Sequence, residues 1–106
     1  MDAKPAHSFE IAGAKGGLMS MFSGKPMLEL HNGGISWMEG KSKVFVEYSK
    51  IEKLQLNKYY STLTIVHTGK GASETKKVSL INAPIFETVW MDFSGRQNIG
   101  VKLALG

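Results

Sequence analysis

Three histidines, His7, His31 and His67, are the side chains of this 106-residue chain best suited to moving a proton near neutral pH. They lie far apart in sequence, and none forms a pair at metal-ligand spacing, so only convergence of strands in three dimensions would make a site of them. The null expectation is polar or partly buried histidines on strands. Glu39, Glu47 and Glu52 are the candidates for a carboxylate pair, but glutamates on neighbouring strands ordinarily face lysines across the sheet. Two glycine-rich stretches hold a lysine, Gly13-Ala14-Lys15-Gly16-Gly17 and Gly69-Lys70-Gly71. Neither has the Gly-Lys-Ser/Thr step entering a helix that a phosphate loop needs. Cysteine is absent, which removes disulfides, thiolate metal sites and cysteine nucleophiles. The residues therefore predict no catalytic group, no metal and no cofactor; a small ligand-binding barrel or an enzyme is the minor alternative.

Binding chemistry has better candidates. Between Lys15 and Lys25 stand Leu18, Met19, Met21 and Phe22, an apolar cluster flanked by cations. On a protruding loop it would enter a membrane interface with its lysines at anionic headgroups, or offer a methionine-rich docking surface to a protein. On a strand the same residues are simply core. A second basic set is Lys41, Lys43, Lys50, Lys53, Lys58, Lys76 and Lys77, interleaved with Tyr48, Tyr59 and Tyr60. Lysines with aromatic faces are the ingredients of a single-strand nucleic-acid surface. Solvated turns and edge-protecting lysines are the simpler reading, and Glu47, Glu52 and Glu74 dilute the patch. The formal charge is only +4, and Arg96 is the sole arginine among thirteen basic residues. Base readout and bidentate phosphate contacts favour arginine, so nucleic acid is not the expected partner.

These residues must be positioned by short strands and one helix. The length fits a single domain over 1–106, and 42% hydrophobic with 21% charged residues supports a packed core. Twelve glycines suit many turns. Residues 1–6 read as a loose leader without an apolar signal region, and Leu18–Phe22 is too short to span a bilayer. A soluble cytoplasmic domain is expected. Alternation predicts strands at 9–11, 18–22, 27–31, 35–39, 44–48, 51–56, 60–67 and 76–81. Asn32-Gly33 is the strongest turn signal and predicts a type I′ hairpin. Ile51 is out of phase with Leu54 and Leu56, which predicts a bulge or bend near Lys53. Asn82 is suited to capping a helix, Pro84 to its first turn, and Phe86, Val89, Trp90 and Phe93 recur on one helical face over 83–94. Gly95 is the predicted stop. The segment 98–106 reads as one more strand or as a linker.

About seven strands followed by one helix bearing Trp90 resembles the pleckstrin-homology superfold. The step Tyr48-Ser49-Lys50-Ile51, the apolar strand Leu63–Val66, the polar hairpin after it and the last strand feeding the helix are similar to bacterial PH-like domains. The likeness runs from about Pro26 to Phe93. It implies an α+β fold: a bent antiparallel sheet or partly open barrel of about seven strands, capped by one C-terminal helix with Trp90 plugging a corner. It further implies phosphoinositide, peptide or protein binding, or an assembly role. Lipid-binding members carry several Lys/Arg in the first hairpin; here that region offers Lys15 and Lys25 and no arginine. The expected function is a non-catalytic interaction module, for protein binding or self-association through a sheet edge. The alternative is peripheral binding to anionic membrane lipid through Lys15–Lys25. The expected surface is Lys15, Leu18, Met19, Met21, Phe22, Lys25, Lys41 and Lys43.

Overall fold

A computed structural model describes residues 5–12, 27–39 and 42–106. In order, the elements are β1 (His7–Glu10), β2 (Met27–Leu30), β3 (Gly34–Glu39), β4 (Ser42–Glu47), a 3₁₀ turn (Tyr48–Lys50), β5 (Ile51–Asn57), β6 (Thr62–Thr68), β7 (Ser73–Ser79), a helix we call α1 (Ala83–Arg96) and β8 (Leu103–Leu105). The class is α+β. The strands form two four-stranded sheets, ordered β1-β2-β3-β4 and β7-β6-β5-β8. The sheets are not closed into a barrel. One corner is tied by the isolated bridge between Ile11 and Leu80, with Ala12 N–H donating to the Ser79 carbonyl at 2.7 Å and Ile81 N–H to that of Glu10 at 3.1 Å.

Period-two patterning explains the two-layered core. In β3, Ile35 and Trp37 face inward; in β6, Leu63, Ile65 and His67 do, against Leu54 and Leu56 of β5. The bulge expected near Lys53 is present: the β5–β6 register shifts between Ile51 and Lys53, letting Ile51 and Leu54 both be buried. The tail is a strand, β8, which pairs in parallel with Leu54–Leu56 of β5.

The Asn32-Gly33 turn lies where expected but is not type I′, since neither residue has a positive φ. His31 N–H closes on the Gly34 carbonyl at 2.8 Å, and the turn is otherwise anchored from outside. Tyr48 donates its backbone N–H to the Gly33 carbonyl at 3.2 Å and its hydroxyl to that of His31 at 2.7 Å. Gly34 is required by close approach: a Cβ there would meet the Val46 carbonyl oxygen and the Phe45 ring.

The helix begins as predicted. Asn82 Oδ1 accepts from Ile85 N–H at 3.2 Å, and Pro84 lies in the first turn. It does not stop at Gly95. It runs to Arg96, and Asn98 takes the left-handed position at φ 57°. Asn98 N–H donates to the Gly95 carbonyl at 3.3 Å and Ile99 N–H to that of Ser94 at 2.9 Å, both bonds of a Schellman closure. Ile99 packs on the core, supplying the apolar contact that accompanies this motif. Phe86, Trp90 and Phe93 are buried, joined by Ala83, while Val89 is half-buried. Phe86 packs edge-on against Phe9 of β1 (5.0 Å) and stacks with Trp90 (6.3 Å, 7°), which meets Tyr48 at 5.8 Å. The helix thus seals the end holding the start of β1 and the β4–β5 connection. Among the described residues no helix is long and apolar enough to cross a membrane.

Candidate interaction surface

Among the described residues, the only constellation resembling catalytic chemistry lies on the outer face of the first sheet. The register sets Glu29 beside Ser36 and Ser36 beside Phe45. Ser36 Oγ donates to Glu29 Oε1 at 3.1 Å, and His31 Nε2 lies 2.9 Å from Ser36 Oγ and 3.5 Å from Glu29 Oε1. Lys43 Nζ closes the group on Glu29 Oε1 at 2.7 Å. A nucleophilic triad needs the imidazole to accept the serine proton while the carboxylate holds the other ring nitrogen. Here Glu29 Oε1 accepts from the serine hydroxyl and lies by the same ring nitrogen that faces Ser36, which is not the triad order. Ser36 is also fully buried, out of reach of a substrate. Burial alone raises the Glu29 carboxyl, but hydrogen bonds from Lys43 and Ser36 and the charges of Lys43 and His31 outweigh it. The net effect holds the carboxyl below its ordinary value. The cluster ties three strands together. The Glu-x-His alternation of β2 hinted at it, but the cross-strand register that completes it is not a sequence property.

The other histidines have separate neighbours. His7 presents its ring to Phe93 at 5.4 Å, and buried His67 lies 5.8 Å from Trp37, with Nδ1 3.3 Å from the Thr68 carbonyl. Among the described residues no group of three or more metal-ligating side chains gathers. Of the three glutamates, Glu39 does meet a lysine, Lys76, at 3.6 Å. Glu52 instead accepts the hydroxyls of Ser73 (2.7 Å) and Thr68 (3.3 Å), because β5 and the β6–β7 hairpin bring hydroxyls, not ammonium groups, to it.

Lys15, Leu18, Met19, Met21, Phe22, Lys25 and Lys41, and the strand expected at 18–22, lie outside the described residues. Lys43 lies within them and is engaged by Glu29. Of the remaining basic set, Lys58 pairs with Glu87 at 2.9 Å and Lys76 with Glu39 at 3.6 Å. Tyr48 is no stacking platform. It is half-buried against Trp90, and burial pushes its hydroxyl pKa up.

Tyr59 and Tyr60 are different. They sit on the β5–β6 turn, 86% and 70% exposed, in edge-to-face contact at 4.8 Å. The turn is firmly held. Asn57 Oδ1 accepts from Tyr60 N–H at 3.0 Å and Thr62 Oγ1 donates to the Tyr60 carbonyl at 3.1 Å. Ser61 has φ 53°, a strained conformation for a residue with a Cβ, and its carbonyl accepts from Leu80 N–H at 2.8 Å. That bond ties the turn to the backbone just after β7, and the Lys58–Glu87 ion pair ties it to α1. Ile81 and Ile85 are both more than half exposed. Adjacent tyrosines were visible in the sequence; the anchoring that holds their turn was not. No protein-family model matches the chain, and no curated protein matches it.

Proposed function

We propose that this chain is a non-catalytic interaction module of PH-like architecture that binds a protein partner at the Tyr59–Tyr60 corner. The order of strands, the single C-terminal helix and the buried Trp90 sealing one end support the PH-like assignment. The observation carrying the function is the rigid display of Tyr59 and Tyr60 on the β5–β6 turn. Large side chains cost free energy in water, and aromatic residues on a preorganised turn lose little entropy on binding. Tyrosines also dominate the energetic centres of protein interfaces. An enzyme reading is disfavoured by the placement of Glu29 on the serine hydroxyl, not behind the imidazole, and by the burial of Ser36 and His67.

The test is photo-crosslinking in an extract of the source organism. A crosslinking phenylalanine replaces Tyr60 in one protein and Thr64, on the outer face of β6, in another. The expected result is a discrete protein adduct at 60, absent at 64 and lost with Tyr59→Asp while the melting temperature holds. Adducts of equal yield at both positions, or none at 60, overturn the proposal. So does sedimentation with anionic vesicles that depends on the tyrosine pair, which would identify a membrane instead.

A further inference from the structure

Among the described residues the β4 strand is an edge of its sheet, pairing with β3 alone. Tyr48 N–H bonds to the Gly33 carbonyl, which sets the phase of the β3–β4 ladder. By the alternation of antiparallel pairing, Val44 and Val46 direct their N–H and C=O groups to β3. Lys43, Phe45 and Glu47 direct theirs outward. These same three residues place their side chains on the outer face of the sheet, where Phe45 is 51% exposed. An exposed edge of this kind is a template for another strand.

The sequence of the edge states which strand fits it. Lys43-Val44-Phe45-Val46-Glu47 is symmetric in its apolar residues about Phe45 and antisymmetric in charge. We propose that β4 pairs antiparallel with β4 of a second copy of this chain, across a two-fold axis at Phe45. In that register Phe45 faces Phe45, Val44 faces Val46, and Lys43 of each copy faces Glu47 of the other. Every one of the outward-facing residues would exchange both backbone bonds with its counterpart. A slip of one residue would set these side chains on opposite faces and separate the charges, so one register is selected. Among the described residues Glu47 has no ionic partner, and the pairing supplies one. Lys43 keeps Glu29 as well, because an ammonium has three donors. Opposite charges and aromatic pairs directly across strands are both favourable. The two copies would share a continuous eight-stranded sheet, with the His31–Phe45 ring contact flanking the axis on each side. This closed two-fold contact is independent of the Tyr59–Tyr60 corner and leaves it open.

The test is sedimentation velocity of the full chain over a range from about 1 µM to 1 mM, a window covering weak to moderate affinities. The expected result is a concentration-dependent dimer. Phe45→Lys, which sets like charges together at the axis and keeps the Glu29–Lys43 pair, should weaken it at least about tenfold, the equivalent of one misplaced cross-strand contact. Glu47→Lys and Lys43→Glu should each be monomeric alone and form a heterodimer when mixed, because the register then sets opposite charges face to face. Thermal melts of each variant establish that the fold is intact. A strict monomer at all concentrations overturns the proposal. So does a dimer unmoved by Phe45→Lys, or a pair of charge variants that fails to associate on mixing.

Discussion

Replacing Trp90 tests the claim that α1 seals one end of the core. Trp90 is 1% exposed, stacked on Phe86 and in ring contact with Tyr48. Trp90→Ala forfeits the transfer of a large aromatic side chain and leaves a cavity bounded by rings that cannot collapse far; such changes cost about 3–5 kcal/mol. Of this, each aromatic pair accounts for about 0.5–1.5 kcal/mol. Domains of this size are stable by only about 5–15 kcal/mol, so the variant should sit near the edge of folding. Its melting temperature should fall by at least about 12 °C. Urea unfolding followed by far-ultraviolet circular dichroism measures the loss, and buried Trp37 remains as a fluorescent reporter away from the helix. Met91→Ala, one residue on and 63% exposed, is the internal control and should change stability by less than about 0.5 kcal/mol. Trp90→Phe, which keeps a ring on Phe86, should fall between them. A loss under about 1 kcal/mol for Trp90→Ala would contradict its role as the buried seal at this end of the core.

Two further expectations concern the first sheet. The folded-state pKa of Glu29 is depressed, so its contribution to stability is complete above the unfolded glutamate value of about 4.3 and drains away as pH falls through the lower folded value. Urea midpoints between pH 6 and pH 3 should fall less steeply in Glu29→Gln than in the parent protein; parallel curves would remove Glu29 from the account. Gly34→Ala should cost about 1–3 kcal/mol in the same assay, because the exposed Phe45 ring can move aside but the Val46 carbonyl is part of the ladder. A neutral result would mean that β3 and β4 separate more easily than their register implies.

Much of the fold was legible because it is local. Alternation in residues 44–46, 54–56 and 63–67 identified strands, and a 3.6-residue stripe with Asn82 and Pro84 identified the helix. The phase break at Ile51 was readable as a bulge for the same reason: burying Ile51 and Leu54 together is impossible on a regular strand. The misses share one cause, which is that a distant segment decided a local matter. Asn32-Gly33 lacks the type I′ geometry because Tyr48, far along the chain, takes the turn's carbonyls. Helix α1 passes Gly95 because Ile99 finds the core and closes the end with Asn98 in the left-handed position. The interaction surfaces followed the same division. Tyr48, Tyr59 and Tyr60 are alike as residues, and only packing under the helix made the first a core residue and the others a display.

The chain by itself determined most of the described strands, the one helix among them, where that helix starts, and that cysteine chemistry is absent. These follow from period, capping chemistry and composition, each readable within a few residues. Tertiary structure decided that the strands divide into two sheets, that the tail adds a parallel strand to β5, and that Lys43 belongs to Glu29. It also decided that Phe45 stands on an open edge. Each of those outcomes depends on which segments lie side by side, and side-by-side placement comes from burying the whole apolar surface at once.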